Sequence, residues 1–203
     1  IFREFGLTAL IIPNNIIFQN GIYRIRDLIS PHFISIRNLE PVYNVLLIIQ
    51  AFEKIKISYS NARLTILGNG SERLKLEEYV RSKSLNDVIF IGSVSHDQVY
   101  SYLSHNDILL NASLTDNMPV SIIEAFNAGL LVISSNAGGI PFIVRNNITG
   151  YLFESNNLED FIGKIQLALE FPDQSYKIIE AANKESWLYH WENTREMYSC
   201  IYS

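Results

Sequence analysis

Asp107-Ile108-Leu109-Leu110-Asn111-Ala112-Ser113-Leu114-Thr115-Asp116-Asn117-Met118-Pro119-Val120-Ser121-Ile122-Ile123-Glu124-Ala125-Phe126-Asn127-Ala128-Gly129-Leu130-Leu131-Val132-Ile133-Ser134 is the stretch on which the reading of the fold turns. A short apolar run, Asp107–Leu110, reads as a strand, a polar loop follows, a helix opens near Pro119, and Leu130–Ser134 is a second strand. The same alternation extends outward in both directions. Strands are expected at Phe33–Arg37, Ala62–Leu67, Val88–Ile91 and Tyr151–Phe153, with helices beginning near Val42, Ser71, Ser95, Ile140 and Leu158. Brief apolar strands alternating with amphipathic helices are the pattern of an α/β fold, a parallel sheet with helices on both faces. After Glu170 come two helical stretches, Asp173–Tyr189 and Trp191–Ile201, whose Trp187, Tyr189, Trp191, Met197 and Tyr198 read as core packing.

Composition narrows the class further. The chain has 203 residues, 48% hydrophobic and only 18% charged, enough to bury a core and too few charges for a disordered tail. Its formal net charge is -5 and no Lys/Arg cluster interrupts it, which sets duplex DNA aside, because phosphate tracking needs a stripe of cations. A single cysteine, Cys200, leaves no intrachain disulfide and points to a reducing, cytoplasmic compartment. The longest apolar runs, Leu7–Ile12 and Val45–Ile49, are far below the roughly 20 residues of a membrane-crossing helix. The chain begins at Ile1 without a signal-like segment, and a piece of something longer is expected.

Glycines punctuate the ends of several strands: Gly68 and Gly70, then Gly92, then Gly138 and Gly139. Each permits a tight turn or a close backbone approach. Together they mark the carboxyl edge of the sheet, where open α/β folds bind ligands. On that edge lies the segment richest in chemistry. Pro119 suits a first helical turn, so the amides of Asn117, Met118, Val120 and Ser121 stand at or near a helix N-terminus, which favours an anion. Asp116 precedes the helix and Glu124 lies inside it, on the order of 10 Å away at about 1.5 Å per residue. An inverting glycosidase also brackets its bond with two carboxylates, about 6.5 to 9.5 Å apart. The helix terminus between the acids favours a diphosphate over a neutral glycoside. Asp116 could also be a solvated capping acid and Glu124 a surface residue. Against the latter, Glu124 is flanked by Ile122, Ile123, Ala125 and Phe126, and a carboxylate in such company needs a partner.

These residues resemble the retaining nucleotide-sugar glycosyltransferases of family 4, which have the two-domain GT-B fold. The resemblance rests on two acids with seven residues between them, Asp116 and Glu124, on Met118-Pro119 between, and on Ala125-Phe126-Asn127-Ala128-Gly129-Leu130-Leu131-Val132 after. It continues at Asn136-Ala137-Gly138-Gly139-Ile140-Pro141 and Thr149-Gly150-Tyr151-Leu152. Upstream it takes in Ile12-Pro13-Asn14 as a hinge, Arg37-Asn38-Leu39 as the first phosphate contact, and the loops Leu67-Gly68-Asn69-Gly70 and Phe90-Ile91-Gly92-Ser93-Val94. The resemblance implies a Rossmann-like, C-terminal donor-binding half of a GT-B fold, residues 1–30 as hinge and lead-in, 31–170 as core and 171–203 as closing helices. On that resemblance an N-terminal acceptor domain is expected outside these 203 residues.

By the same resemblance the donor is a nucleoside diphosphate sugar. Asp116 approaches the sugar, Asn117 to Ser121 form an amide cradle, Glu124 takes the ribose hydroxyls, and Arg37 neutralises the leaving diphosphate. Gly68, Gly70, Gly92 and Val94 belong to loops that approach the nucleotide. No cofactor and no metal are implied, and His32, His105 and His190 show no metal-site spacing with one another or with Cys200. His96, at a helix start, reads more readily as a solvated side chain than as a ligand contact. Two departures stand out: Val42 occupies the place of the family's lysine, and the first acid is Asp116 where glutamate is commoner. Partners implied are the donor, the chain's own N-terminal domain and an unspecified acceptor of lipid, polysaccharide or protein, with a cytoplasmic location or one at a membrane surface. Hexosyl transfer is expected of the whole protein, and inactivity of this piece alone. The alternatives are a sugar-nucleotide epimerase of the same fold and a non-catalytic nucleotide-sugar-binding module.

Overall fold

Runs of three to five residues in which apolar side chains alternate between two faces build the sheet. Phe33, Leu64, Ile66, Ile108, Leu110, Leu131 and Ile133 point into one apolar cluster, while their neighbours Ile34, Leu67, Leu109 and Val132 point into another on the opposite face. The strands are β1 His32–Ile36, β2 Arg63–Leu67, β3 Val88–Gly92, β4 Ile108–Asn111, β5 Leu131–Ser135 and β6 Tyr151–Phe153. All pair in parallel, in the order β3-β2-β1-β4-β5-β6. Every residue of β4 and β5 is buried, as the centre of a sheet covered on both faces requires. The computed structural model describes Arg26 and residues 28–202, with Ser199 the sole side chain described after residue 195. The expected hinge at Ile12-Pro13-Asn14 and the side chains of Met197, Tyr198 and Cys200 lie outside the described residues.

On one face lie α1 Val45–Ser58, α2 Arg73–Ser82 and α5 Leu158–Glu170, and on the other α3 His96–Ser104 and α4 Val120–Asn127. The faces are locked by large side chains, Phe33 edge-on to Phe52 at 6.1 Å and Phe153 stacked on Phe161 at 4.1 Å. α6 Pro172–Ser186 closes the end of the sheet, sending Ile178 and Ile179 into one cluster and Ala182 into the other. A 3-10 turn, Trp187–Tyr189, then leads to α7 Trp191–Tyr202. Of the aromatic group expected in the core, Tyr189 is buried, but Trp187 and Trp191 are 53% and 45% exposed. The Trp187 ring rests on His190 at 5.4 Å.

Helix starts differ from the sequence expectation at several points, among them the helix expected near Ser71, which begins at Arg73. The helix expected from Val42 begins at Val45, after a 3-10 turn, Pro41–Tyr43, that is closed by Asn44 in the left-handed region at φ 47°. That expected at Ile140 is a single 3-10 turn, Ile140–Phe142. Pro119 stands at the N-cap of α4 with extended backbone, one position before the first turn.

Arg26 ties the lower ends of α3 and α4 together. Its buried guanidinium donates to the carbonyls of Gly129 and Asn106, each at 2.8 Å, to Leu103 at 3.3 Å, and to Ala128. A cation set against the carbonyl ends of two helices satisfies groups with no helical partner and meets their negative dipole ends.

Candidate functional site

The chain runs outward from β1 to β2 and β3, then returns to place β4 on the other side of β1, so the strand order reverses between β1 and β4. In open α/β sheets the crevice at such a reversal, beyond the carboxyl ends of the strands, is where ligands bind. Arg37 is the first residue after β1, and Asn111 is the last of β4. The Arg37 Nε donates to Asn111 Oδ1 at 2.9 Å, and its Nη2 lies 3.1 Å from Asp116 Oδ2, with the two side chains 13% and 17% exposed. Its guanidinium carbon sits 5.5 Å from the centre of the Tyr43 ring. Burial lowers the arginine pKa, and Asp116, Tyr43 and Glu124 oppose that shift by charge. A guanidinium so placed remains a cation at neutral pH.

Asn111 is held in turn by buried hydroxyls. It donates to Ser134 Oγ at 2.8 Å and accepts from Ser113 Oγ at 2.8 Å, while Ser135 Oγ donates to the Ser113 carbonyl at 2.6 Å. This chain of short polar side chains fixes the ends of β4 and β5 and orients the acceptor that aims Arg37.

The loop carrying Asp116 is set by glycines from the next strand's end. The Gly139 amide donates to the Asp116 carbonyl at 2.7 Å. A Cβ on Gly138, which has φ +58°, would stand 2.2 Å from the Asp116 carbonyl oxygen, and one on Gly139 would stand 2.0 Å from that of Asn117. The pair expected to approach a ligand thus approaches the acid loop, and positions it. Gly68 does the same for Arg37: with φ +127°, its Cβ would fall 1.9 Å from the Arg37 carbonyl oxygen.

Glu124 faces the crevice from α4. Its side chain is 5% exposed, with Oε1 3.3 Å from His96 Nδ1 at the start of α3. That contact is one of charge, for Oε1 accepts no hydrogen bond. Burial raises the Glu124 pKa, and His96 and Arg37 pull in the other direction. No side chain caps the N-terminus of α4.

These groups surround a cavity of about 500 Å³. Among the residues singled out from sequence, Arg37, Gly68, Val94, Asp116, Met118, Pro119, Val120, Ser121 and Glu124 line it. Gly70, Gly92 and Asn117 lie off its wall. A Cβ on Gly70 would meet the Leu39 carbonyl at 2.5 Å, Gly92 closes β3 beneath the loop at φ +92°, and Asn117 presents its carbonyl to Gly139. Sequence reasoning missed Tyr43 and Asn111. A polar residue ending an apolar strand was the available signal for Asn111, whereas nothing local marks Tyr43. His96 is largely exposed, as expected of a helix start, and it also lines the cavity. Arg37 is the sole lysine or arginine on the wall among the described residues.

The strand order and a crevice bearing one cation, two acids and an uncapped helix start define a Rossmann-like α/β domain, the kind that forms one half of a GT-B fold. The chain belongs to the glycosyl transferases group 1 family, whose model matches residues 26–185. It is 28% identical over 157 residues to a phosphatidylinositol N-acetylglucosaminyltransferase subunit of Arabidopsis thaliana, covering 77% of this chain and 34% of that protein. To the phosphatidylinositol N-acetylglucosaminyltransferase gpi3 subunit of Schizosaccharomyces pombe it is 27% identical over 202 residues, covering 95% of this chain and 44% of that one. The chain therefore spans less than half the length of these relatives. Among solved structures, HepE of Anabaena in complex with UDP has the same fold, with a TM-score of 0.83 at 16% identity over 98% of this chain and 60% of that one. No helix among the described residues is long and apolar enough to cross a membrane.

Proposed function

We propose that this chain is the donor-binding half of a retaining, family 4 glycosyltransferase and binds a nucleoside diphosphate sugar in the crevice between β1 and β4. The observation that carries the reading is Arg37, a buried cation at the switch point, aimed by Asn111 and flanked by two carboxylates. A buried guanidinium with one acid beside it can receive a diphosphate, and its charge is worth most where water is scarce. As the glycosidic bond breaks, negative charge grows on the leaving diphosphate, and a fixed cation stabilises that state with little reorganisation. Asp116 then faces the sugar, the backbone from Asn117 to Ser121 cradles sugar and phosphate oxygens, and Glu124 accepts from the ribose hydroxyls. Acceptor and remaining cleft come from an N-terminal domain, so this chain alone binds donor without transferring a hexosyl group.

The names of the relatives support a narrower version, with N-acetylglucosamine as the sugar and a lipid as acceptor, which would put the whole protein at a membrane surface; uridine as the nucleoside is taken from the UDP bound by HepE. One observation favours a second reading, a non-catalytic nucleotide-sugar-binding module: Val42 stands where the family resemblance places a lysine, and no second lysine or arginine lines the cavity among the described residues. Calorimetric titration tests the central role. Arg37→Ala is expected to weaken UDP binding about tenfold to a hundredfold, the scale of a charge-assisted hydrogen bond, while leaving uridine nearly unchanged. Equal weakening of both ligands would remove Arg37 from the phosphate site.

A further inference from the structure

His96 is a titratable side chain on the cavity wall to which the donor reading gives no task. It is the first residue of α3, a position held by Ser95 and Gln98, where the Gln98 Oε1 accepts from the Ser95 amide at 3.0 Å. Its ring meets the Tyr100 ring edge-on at 6.1 Å, and Tyr100 is fully buried, so the imidazole is braced from below although its outer edge is in solvent. Nδ1 lies 3.3 Å from Glu124 Oε1, a contact of charge without a hydrogen bond.

Glu124 needs such a neighbour. Its side chain is 5% exposed, and its neighbours along α4, Ile122, Ile123, Ala125 and Phe126, are all buried. A carboxylate in apolar surroundings keeps its charge, and one orientation, only through a partner that donates or is positive. Arg37 acts on Glu124 by charge, yet its Nε donates to Asn111 and its Nη2 lies 3.1 Å from Asp116 Oδ2. His96 alone brings a nitrogen to Oε1 among the charged groups described around this acid. A ring protonated at Nδ1, neutral or cationic, needs only a small turn to donate to Oε1, and it leaves Oε2 for a ligand.

We infer that His96 is a positioning residue for the nucleoside: it holds Glu124 turned into the cavity, so that ribose recognition depends on His96 while diphosphate recognition does not. The inference rests on reading the cavity as a nucleotide site. It divides the site into two parts, Arg37 with Asp116 for the diphosphate, and His96 with Glu124 for the ribose. The two parts share one cavity but have separate ion-pair contacts, Arg37 with Asp116 and His96 with Glu124.

Three variants and three probes test it: His96→Ala, His96→Phe and His96→Asn, each titrated with UDP, with uridine by displacement of bound UDP, and with inorganic pyrophosphate. His96→Ala and His96→Phe are expected to weaken UDP and uridine by the same factor, about fivefold to tenfold once exposure of the pair is allowed for, and to leave pyrophosphate unchanged. His96→Asn, whose amide can donate from near the Nδ1 position, should restore uridine binding to within about twofold of wild type. Loss of pyrophosphate affinity in step with uridine would make His96 a structural brace of the whole rim and overturn the inference. Rescue by Phe but not Asn would overturn it too, since stacking on the base would then be its role. Unchanged binding in all three variants would dismiss His96 while leaving the nucleotide reading intact, whereas a wild-type chain that binds neither UDP nor pyrophosphate would overturn both.

Discussion

A buried acid with one oxygen lacking a hydrogen bond is an expense to the folded state, and Glu124 is such a residue. Burial raises its pKa, only partly opposed by His96 and Arg37. The sign follows directly. Because the folded pKa lies above the unfolded one, the protonated form favours folding; that contribution is full below the ordinary glutamate range and is lost as pH rises through the folded pKa. Glu124→Gln keeps the shape and removes the charge. The variant is therefore expected to melt above wild type at neutral pH without ligand, with the gap closing in acid, and to bind UDP more weakly. Thermal melts across that pH range, paired with one titration, check both halves. A variant that melts below wild type at neutral pH would mean that the pairing with His96 outweighs burial. Strain of this kind is common where function has set the residue.

At the scale of elements, the paired glycines after β5 carry a further prediction. Gly138→Ala forces a side chain into left-handed backbone, about 1 to 2 kcal/mol by itself, and sets its Cβ against the Asp116 carbonyl. We expect a loss of about 2 to 4 kcal/mol in urea unfolding, together with weaker UDP binding, since the Asp116 loop must move. Wild-type stability in that variant would show that the loop does not depend on the contact. Strands were legible to within a residue, because apolar runs bounded by glycine and polar residues admit few other readings. Helix starts were less so. Asn44 adopts a left-handed turn that its neighbours do not announce, and Gly138-Gly139 serve a loop more than twenty positions earlier in the chain. Arg26 was illegible for a plain reason: its partners are main-chain carbonyls 77 to 103 positions away, which carry no side-chain signature.

For the whole molecule, the reversal of strand order is what makes the site. Arg37 and Asn111 are 74 positions apart and meet because β4 returns beside β1. The acid pair, the proline between and the arginine were readable as a motif, but their convergence on Asn111, Tyr43 and His96 follows only from that topology. The net charge of -5 does not oppose an anionic donor, since the field that matters is that of one buried cation and a helix start inside the crevice. The molecule also offers a rival cavity of about 550 Å³ between α3 and the outer strands, where His32, Arg63 and His105 stand. A crystal structure of the chain with UDP decides between them and tests the central claim. The expected result is diphosphate oxygens within hydrogen-bonding distance of the Arg37 guanidinium and ribose hydroxyls on Glu124. UDP seated beside Arg63, or in the β1–β4 crevice with its ribose turned away from Glu124, would contradict it.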